Sequence, residues 1–272
     1  TSTERMATDS GKTELDYAIS LKMVLELREI KVSEITGAII GSVVPPVTSL
    51  MREAIRKVTG QEALVVNVDM NIGLEVLMDN PSSVGTDLIV GAVAGINRYP
   101  VPLILIDMGT ATTICVVNEN KQYIGGMILP GIGVSMNSLT SRTAQLPRIS
   151  LDPPKRLIGK NTVECMQSGA LYGNASCIDG MVARIQEELG QEATIVATGG
   201  LAKRIIPLCL LPVSCGPPKG AGRAFFHYRA AIRASAARRV WRRKMAVRVR
   251  LTTSAMGKLS QTSSSRPLRE SR

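Results

Sequence analysis

The sequence predicts an α/β fold in two units, followed by a segment of different composition. Three observations predict it. Short β-branched runs alternate with helical periodicities over roughly the first 100 residues. From Val101, three strand-like runs follow one another across turn-length gaps. Near residue 210 the charge balance and the aromatic content change abruptly.

In the first unit, Thr13 to Glu29 carries Leu15, Ile19, Met23 and Leu27 at a spacing of four. That spacing predicts an amphipathic helix with Thr13 as its N-cap and those four side chains as its apolar face. Ala38 to Val44 reads as a buried strand ended by Pro45-Pro46. Leu50 to Val58 is helical and Ala63 to Val68 is a second β-rich run. Ser82 or Ser83 is placed to cap a helix running through Val84 to Ile96.

In the second unit, Val101 to Ile106, Thr112 to Val117 and Tyr123 to Leu129 predict an antiparallel three-strand meander. Gly131 to Leu146 reads as a helix, Asn161 to Leu189 as a long or broken one, and Ala193 to Ala197 as a strand before a short helix. Strand-strand-strand-helix-helix-strand-helix is the order of a ribonuclease-H-like domain. The expected organisation is therefore 1–100, an N-terminal domain of this type; 101–210, a second one; and 211–272, a basic tail that is non-native or disordered.

Composition bounds the function. With 44% hydrophobic and 20% charged residues, the chain can bury a core and is not disordered as a whole. No apolar run reaches the ~20 residues of a membrane span, and no signal-peptide core opens the chain. Cys115, Cys165, Cys177, Cys209 and Cys215 contain no CxxC pair and are odd in number, which suits reduced thiols in the cytoplasm. The net charge of +11 hides two parts. Residues 211–272 hold 15 Lys and Arg against one acid, Glu270, whereas residues 1–210 hold 18 basic and 21 acidic residues. Phe225, Phe226, Trp241 and His227, the only Phe, Trp and His residues, all lie in the basic part.

Five segments carry candidate chemistry. Ile106-Asp107-Met108-Gly109-Thr110-Ala111-Thr112-Thr113 joins two strands. Its Asp can hold a cation or orient a water, its Gly admits backbone N–H groups close to an anion, and its Thr hydroxyls add donors. Gly85-Thr86-Asp87 opens a helix, where the carboxylate either stabilises the helix dipole or serves as a general base. Gly125-Gly126-Met127-Ile128-Leu129-Pro130-Gly131 and Ala197-Thr198-Gly199-Gly200 supply glycines for close packing, for turns or for flat contact with a nucleotide. Gly159 to Gly169 contains Asn161 or Thr162 as a helix cap, with Glu164 at capping-box distance from Asn161. Two lookalikes fail. Gly11-Lys12-Thr13 has Met6 where a P-loop needs its first Gly, and Gly131-Ile132-Gly133 has Met136 where a dinucleotide fingerprint needs its third.

In this order the segments resemble type III pantothenate kinases, whose pattern reads NP…VGADR, IDFGTATT, LGGxIxPG, TAxLP, IGKNTxxSMQSG and ATGG. The counterparts here are Asn80-Pro81…Val84-Gly85-Thr86-Asp87, Ile106 to Thr113, Ile124 to Gly131, Thr143 to Pro147, Ile158 to Gly169 and Ala197 to Gly200. The likeness spans roughly residues 4 to 209. It implies two ribonuclease-H-like domains of the actin-like kinase fold, with nucleotide in the cleft between them. It also implies ATP-dependent phosphorylation of pantothenate, the first step of coenzyme A biosynthesis. Asp87 matches the catalytic base, Gly85 and Thr86 the pantothenate loop, and Thr162 a further pantothenate contact. Asp107 matches the ligand of a monovalent cation, potassium or ammonium. Thr110 matches an ATP-phosphate contact, and Gly199 and Gly200 the adenosine-side loop. Magnesium accompanies ATP, and the family is homodimeric and cytoplasmic.

The chain departs from the pattern in places. Leu88 replaces an Arg and Met78 an aromatic at the substrate site. The family's opening DxGNT loop and its LLLxGL segment are not found, so the first domain is expected to be incomplete and the chain as it stands inactive. The change near residue 210 fits a shifted reading frame. The rival reading is a non-catalytic accessory factor in transcription, with Arg238, Arg239, Arg242, Arg243, Lys244 and Trp241 contacting nucleic acid.

Overall fold

A computed structural model describes residues 4, 6–67, 70, 72–215 and 247–252. The Arg-rich stretch at 238–244, with Trp241, Phe225 and Phe226, lies outside the described residues. The described residues form a mixed α/β protein built on two sheets.

The first sheet is parallel, in the order β1 (Met6–Ala7), β10 (Val247–Thr252), β2 (Ala38–Gly41), β3 (Ala63–Val65). Helices α1 (Glu14–Leu27) and α2 (Pro45–Thr59) pack on each other beside it. Thr13 caps α1 through a capping box with Asp16. The buried face of α1 is not the expected one. Tyr17, Ala18, Leu21 and Leu25 are buried, whereas Leu15, Ile19, Met23 and Leu27 are exposed. The helix has two adjacent apolar rows. The inner one includes Tyr17, whose hydroxyl donates to the Asp9 carbonyl at 2.8 Å and accepts from the Asp9 N–H at 2.9 Å. That satisfied polar tip lets the ring be buried completely. Pro45-Pro46 does not end the strand but opens α2, because a first helical turn needs no proline N–H.

The second sheet has the order β4-β7-β6-β5-β8-β9. Its centre is the expected meander: β5 (Leu103–Met108), β6 (Ala111–Val117) and β7 (Gln122–Pro130). β8 (Thr194–Gly199) runs parallel to β5, and β4 (Glu75–Val76) and β9 (Ser214–Cys215) form the edges. β9 and β10 fall inside the basic segment, and Val247, Val249 and Leu251 alternate there with Arg and Thr at strand period.

Helices cover the two faces of this sheet with opposite residues of each strand. α5 (Thr162–Leu189) packs on Ile104, Ile106, Ile114 and Val116, with α4 (Ile132–Ser141) beside it. α3 (Thr86–Ile96) packs on Leu103, Leu105, Cys115 and Val117. Gly95 allows the second contact: a Cβ there would lie 2.4 Å from Leu103 Cδ2. α5 is unbroken, capped by the Asn161 side chain, which accepts from Glu164 N–H at 2.9 Å. Glu164 reaches back to the Lys160 N–H rather than to Asn161. A short helix, α6 (Ala202–Ile205), follows β8.

Candidate active site

The site is built at the C-terminal end of β5. Register places Thr198 of β8, Asp107 of β5, Thr113 of β6 and Ile128 of β7 side by side. In-register partners share a face, and this is the α3 face. α3 covers the next row, Val196, Leu105 and Cys115, but leaves this one open: Asp107 and Ile128 are exposed and Thr113 and Thr198 half-buried. The polar row is therefore a shelf beyond the end of the helix-covered core.

Backbone closeness shapes the shelf. The β5–β6 turn contains Gly109 and Thr110, and Gly131 N–H donates to the Thr110 carbonyl at 3.0 Å. A Cβ on Gly131 would lie 2.3 Å from that oxygen and 2.5 Å from the Gly109 carbonyl oxygen. Only glycine lets the exit of β7 close on this turn. Gly199 has φ +100°, and a Cβ there would lie 2.4 Å from the Met108 carbonyl oxygen. Thr110 and Gly200 are exposed beside these contacts.

α3 brings the second carboxylate. Its N-cap is Gly85, not a serine; Pro81–Ser83 forms a separate 3-10 turn. The Thr86 hydroxyl donates to the Ser42 carbonyl at 2.9 Å and ties the start of α3 to the end of the first sheet. Asp87 follows in the first turn, exposed, with its Oδ1 accepting from Leu88 N–H at 3.0 Å. A Cβ on Gly85 would lie 2.5 Å from that Oδ1, so the glycine leaves room for the carboxylate.

The two carboxylates belong to the same face of the sheet: Leu88, next to Asp87, packs in the cluster of Leu105 and Cys115, the row before Asp107. The Cys115 thiol is pushed up to about 12, first by burial and then by the charges of Asp107 and Asp87. Tyr123 is pushed up to about 12 by burial, then by Cys115 and Asp87. Asp107, Thr110, Gly199 and Gly200 lie at the C-terminal end of β5, and α3, which opens with Gly85, Thr86 and Asp87, packs on the face that carries Asp107. Thr162 is not gathered with them. It lines a cavity of about 530 Å³ with Met136, Leu139, Cys165 and Asn174, on the α4–α5 side. Thr113, Thr198 and Ile128 fall within the candidate segments, but sequence reasoning assigned Thr198 and Ile128 no role of their own and Thr113 only that of one hydroxyl among several. The signal for them was the hairpin register, which puts Thr113 opposite Asp107.

The shelf offers one carboxylate among hydroxyls and backbone groups, with a second carboxylate on the helix that packs on the same face. That suits an anionic nucleotide, a hard cation and a proton acceptor. Among the described residues no group of three or more His, Cys, Asp or Glu side chains is placed to hold a metal. A cation here would take its ligands from Asp107 and neutral oxygens. No helix among the described residues is long and apolar enough to cross a membrane.

Such an arrangement is chemically suited to phosphoryl transfer, and comparison with known proteins identifies the family. The family model of type III pantothenate kinase matches residues 1–184. A type III pantothenate kinase from Bacillus cytotoxicus is 47% identical over 201 residues, covering 74% of this chain and 77% of that protein. The chain belongs to the type III pantothenate kinase family. It is accordingly a kinase acting on pantothenate with ATP, and the accessory-factor reading is not favoured. Among solved structures, a protein described as a Baf family transcriptional activator from Campylobacter jejuni is 16% identical with a TM-score of 0.47, covering 78% of this chain and 87% of that one. An inorganic polyphosphate/ATP-glucomannokinase from Arthrobacter is 11% identical with a TM-score of 0.37, covering 76% and 77%.

Proposed function

We propose that the open shelf at Asp107, together with Asp87 in the first turn of α3, is where this kinase transfers the γ-phosphoryl group of ATP to the primary hydroxyl of pantothenate. Asp87 accepts the hydroxyl proton as the oxygen attacks the γ-phosphorus. The bond from that phosphorus to the β–γ bridging oxygen breaks, giving 4'-phosphopantothenate and ADP. Thr110 and the backbone of the β5–β6 turn contact the phosphates, and Gly199 and Gly200 take the adenosine side. Gly85 and Thr86 line the pantothenate side. The observation that carries this reading is the polar row of Thr198, Asp107 and Thr113 left open beyond the α3-covered core, with Asp87 in the first turn of that same helix.

Asp107 would hold a monovalent cation, potassium or ammonium, with hydroxyl and backbone oxygens completing its shell. Magnesium would arrive with ATP. Both cations offset phosphate charge; positioning and proton acceptance fall to the chain's own residues. Thr162 joins a substrate at Asp87 by coming from a second copy, which a homodimer supplies. Two ribonuclease-H-like domains and a cytoplasmic location complete the reading; the free thiols of Cys115, Cys165, Cys177 and Cys209 support the latter.

The test is Asp87→Asn in the chain extended by a family-type N-terminal strand with its DxGNT loop and a family-type C-terminus, assayed by phosphorylation of labelled pantothenate with and without potassium. Turnover should fall by about 10²- to 10⁴-fold with ATP affinity kept. An Asp87→Asn chain that turns over like wild type overturns the base assignment.

A further inference from the structure

Ile128 is 75% exposed although it lies inside a strand. A lone exposed isoleucine is ordinary on a protein surface. This one is not on an indifferent surface, because it ends the row that contains Asp107 and Thr113. Two residues before it on the same face is Gly126, opposite Cys115. A side chain is excluded at Gly126, where a Cβ would lie 2.1 Å from the Ile114 carbonyl oxygen. At Gly125, whose φ is +134°, a Cβ would lie 3.7 Å from the Met78 sulfur. This stretch of β7 is thus a bare glycine platform between Met78 and Ile128, and Met78 packs against the same cluster as Leu88 in the first turn of α3, next to Asp87.

The substrate's chemistry supplies an occupant. In pantothenate the hydroxyl that takes the phosphoryl group is on a carbon bonded to a quaternary carbon with two methyl groups. A hydroxyl held at Asp87 and aimed at a phosphate over the polar row carries those methyls with it. They need an apolar surface within a bond or two of the reacting oxygen, on a shelf that is otherwise polar. We propose that Ile128 is a specificity-determining residue that packs against the geminal dimethyl group of pantothenate, above the Gly125–Gly126 platform. The proposal rests on the reading of Asp87 as the proton acceptor.

Calorimetric binding to the full chain tests it without requiring turnover. Pantothenate is compared with an analogue whose two methyls are replaced by hydrogens, using wild type, Ile128→Ala and Ile128→Leu. A non-hydrolysable ATP analogue and the far-ultraviolet circular dichroism spectrum serve as controls. Wild type should prefer pantothenate by roughly 5- to 15-fold, the value of burying two methyl groups. Ile128→Ala should lose that preference through pantothenate alone, and Ile128→Leu should regain most of it, with nucleotide affinity unchanged. An alanine variant that keeps the wild-type preference, or weakens both compounds equally, overturns the role of Ile128 and leaves the kinase reading standing. A wild-type chain that binds neither compound overturns the pantothenate assignment of the site and the role of Ile128 with it.

Discussion

The tightest contact at the shelf is also its most testable feature. Gly131 has φ −67°, a value open to any residue, so replacing it with alanine adds no backbone strain. What it adds is a Cβ at 2.3 Å from the Thr110 carbonyl oxygen and 2.5 Å from that of Gly109. Both neighbours are backbone, so neither rotates away. The β5–β6 turn or the exit of β7 must shift, and the hydrogen bond from Gly131 N–H to Thr110 is strained with it. Overpacking of this kind costs about 1–3 kcal/mol, which lowers the thermal midpoint by roughly 3–10 °C at this chain length. Gly133 is the internal control. It lies two residues on, inside α4, and a Cβ there meets nothing within 4 Å. Gly133→Ala should raise stability by up to about 1 kcal/mol, the helix preference of alanine over glycine. Thermal unfolding followed by circular dichroism separates the two variants. Calorimetry with an ATP analogue should show weaker binding for Gly131→Ala only, since its turn carries Thr110. A Gly131→Ala chain that melts with wild type and binds nucleotide equally well refutes the argument that the shelf is shaped by this contact.

Thr86→Val removes the donor to the Ser42 carbonyl, which joins the start of α3 to the first sheet. It should cost about 1 kcal/mol in urea unfolding, and an unchanged midpoint would show that the bond does not matter. Cys115 should resist iodoacetamide at pH 8 while exposed Cys165 is modified, as read by peptide mass spectrometry. Equal labelling of the two contradicts the burial of Cys115. Folding raises the pKa of both Cys115 and Tyr123, so it favours their protonated forms. The stability from this is complete below their unfolded values, about 8.5 and 10, and is lost as pH rises toward about 12. The urea midpoint should therefore fall across that window, less steeply for Cys115→Ala, and a flat profile excludes the linkage.

Local signals settled much of this protein. Val101 to Leu129 states its own meander, because strand-length apolar runs with turn-length gaps can pair only as neighbours. Thr13 and Asn161 announce the starts of α1 and α5 through side-chain caps, which are contacts within four residues. The ordered motifs from Asn80 to Gly200 identify the family, since each is a short run whose residue types are fixed by its own turn or cap. Where two local answers were equally good, the sequence chose wrongly. Both rows of α1 are apolar, and which one is buried depended on α2 and on a partner for the Tyr17 hydroxyl. Pro45-Pro46 stops a strand or starts a helix equally well, and the packing of α2 decided it. The arrangement of the site was decided by tertiary structure alone. Asp87 and Asp107 are twenty residues apart in the sequence, and nothing local says that α3 packs on the sheet face that carries Asp107. The same holds for the row from Thr198 to Ile128 and for the α4–α5 cavity that takes Thr162 elsewhere. Register and helix packing are long-range contacts, and their geometry exists only once the sheet has formed.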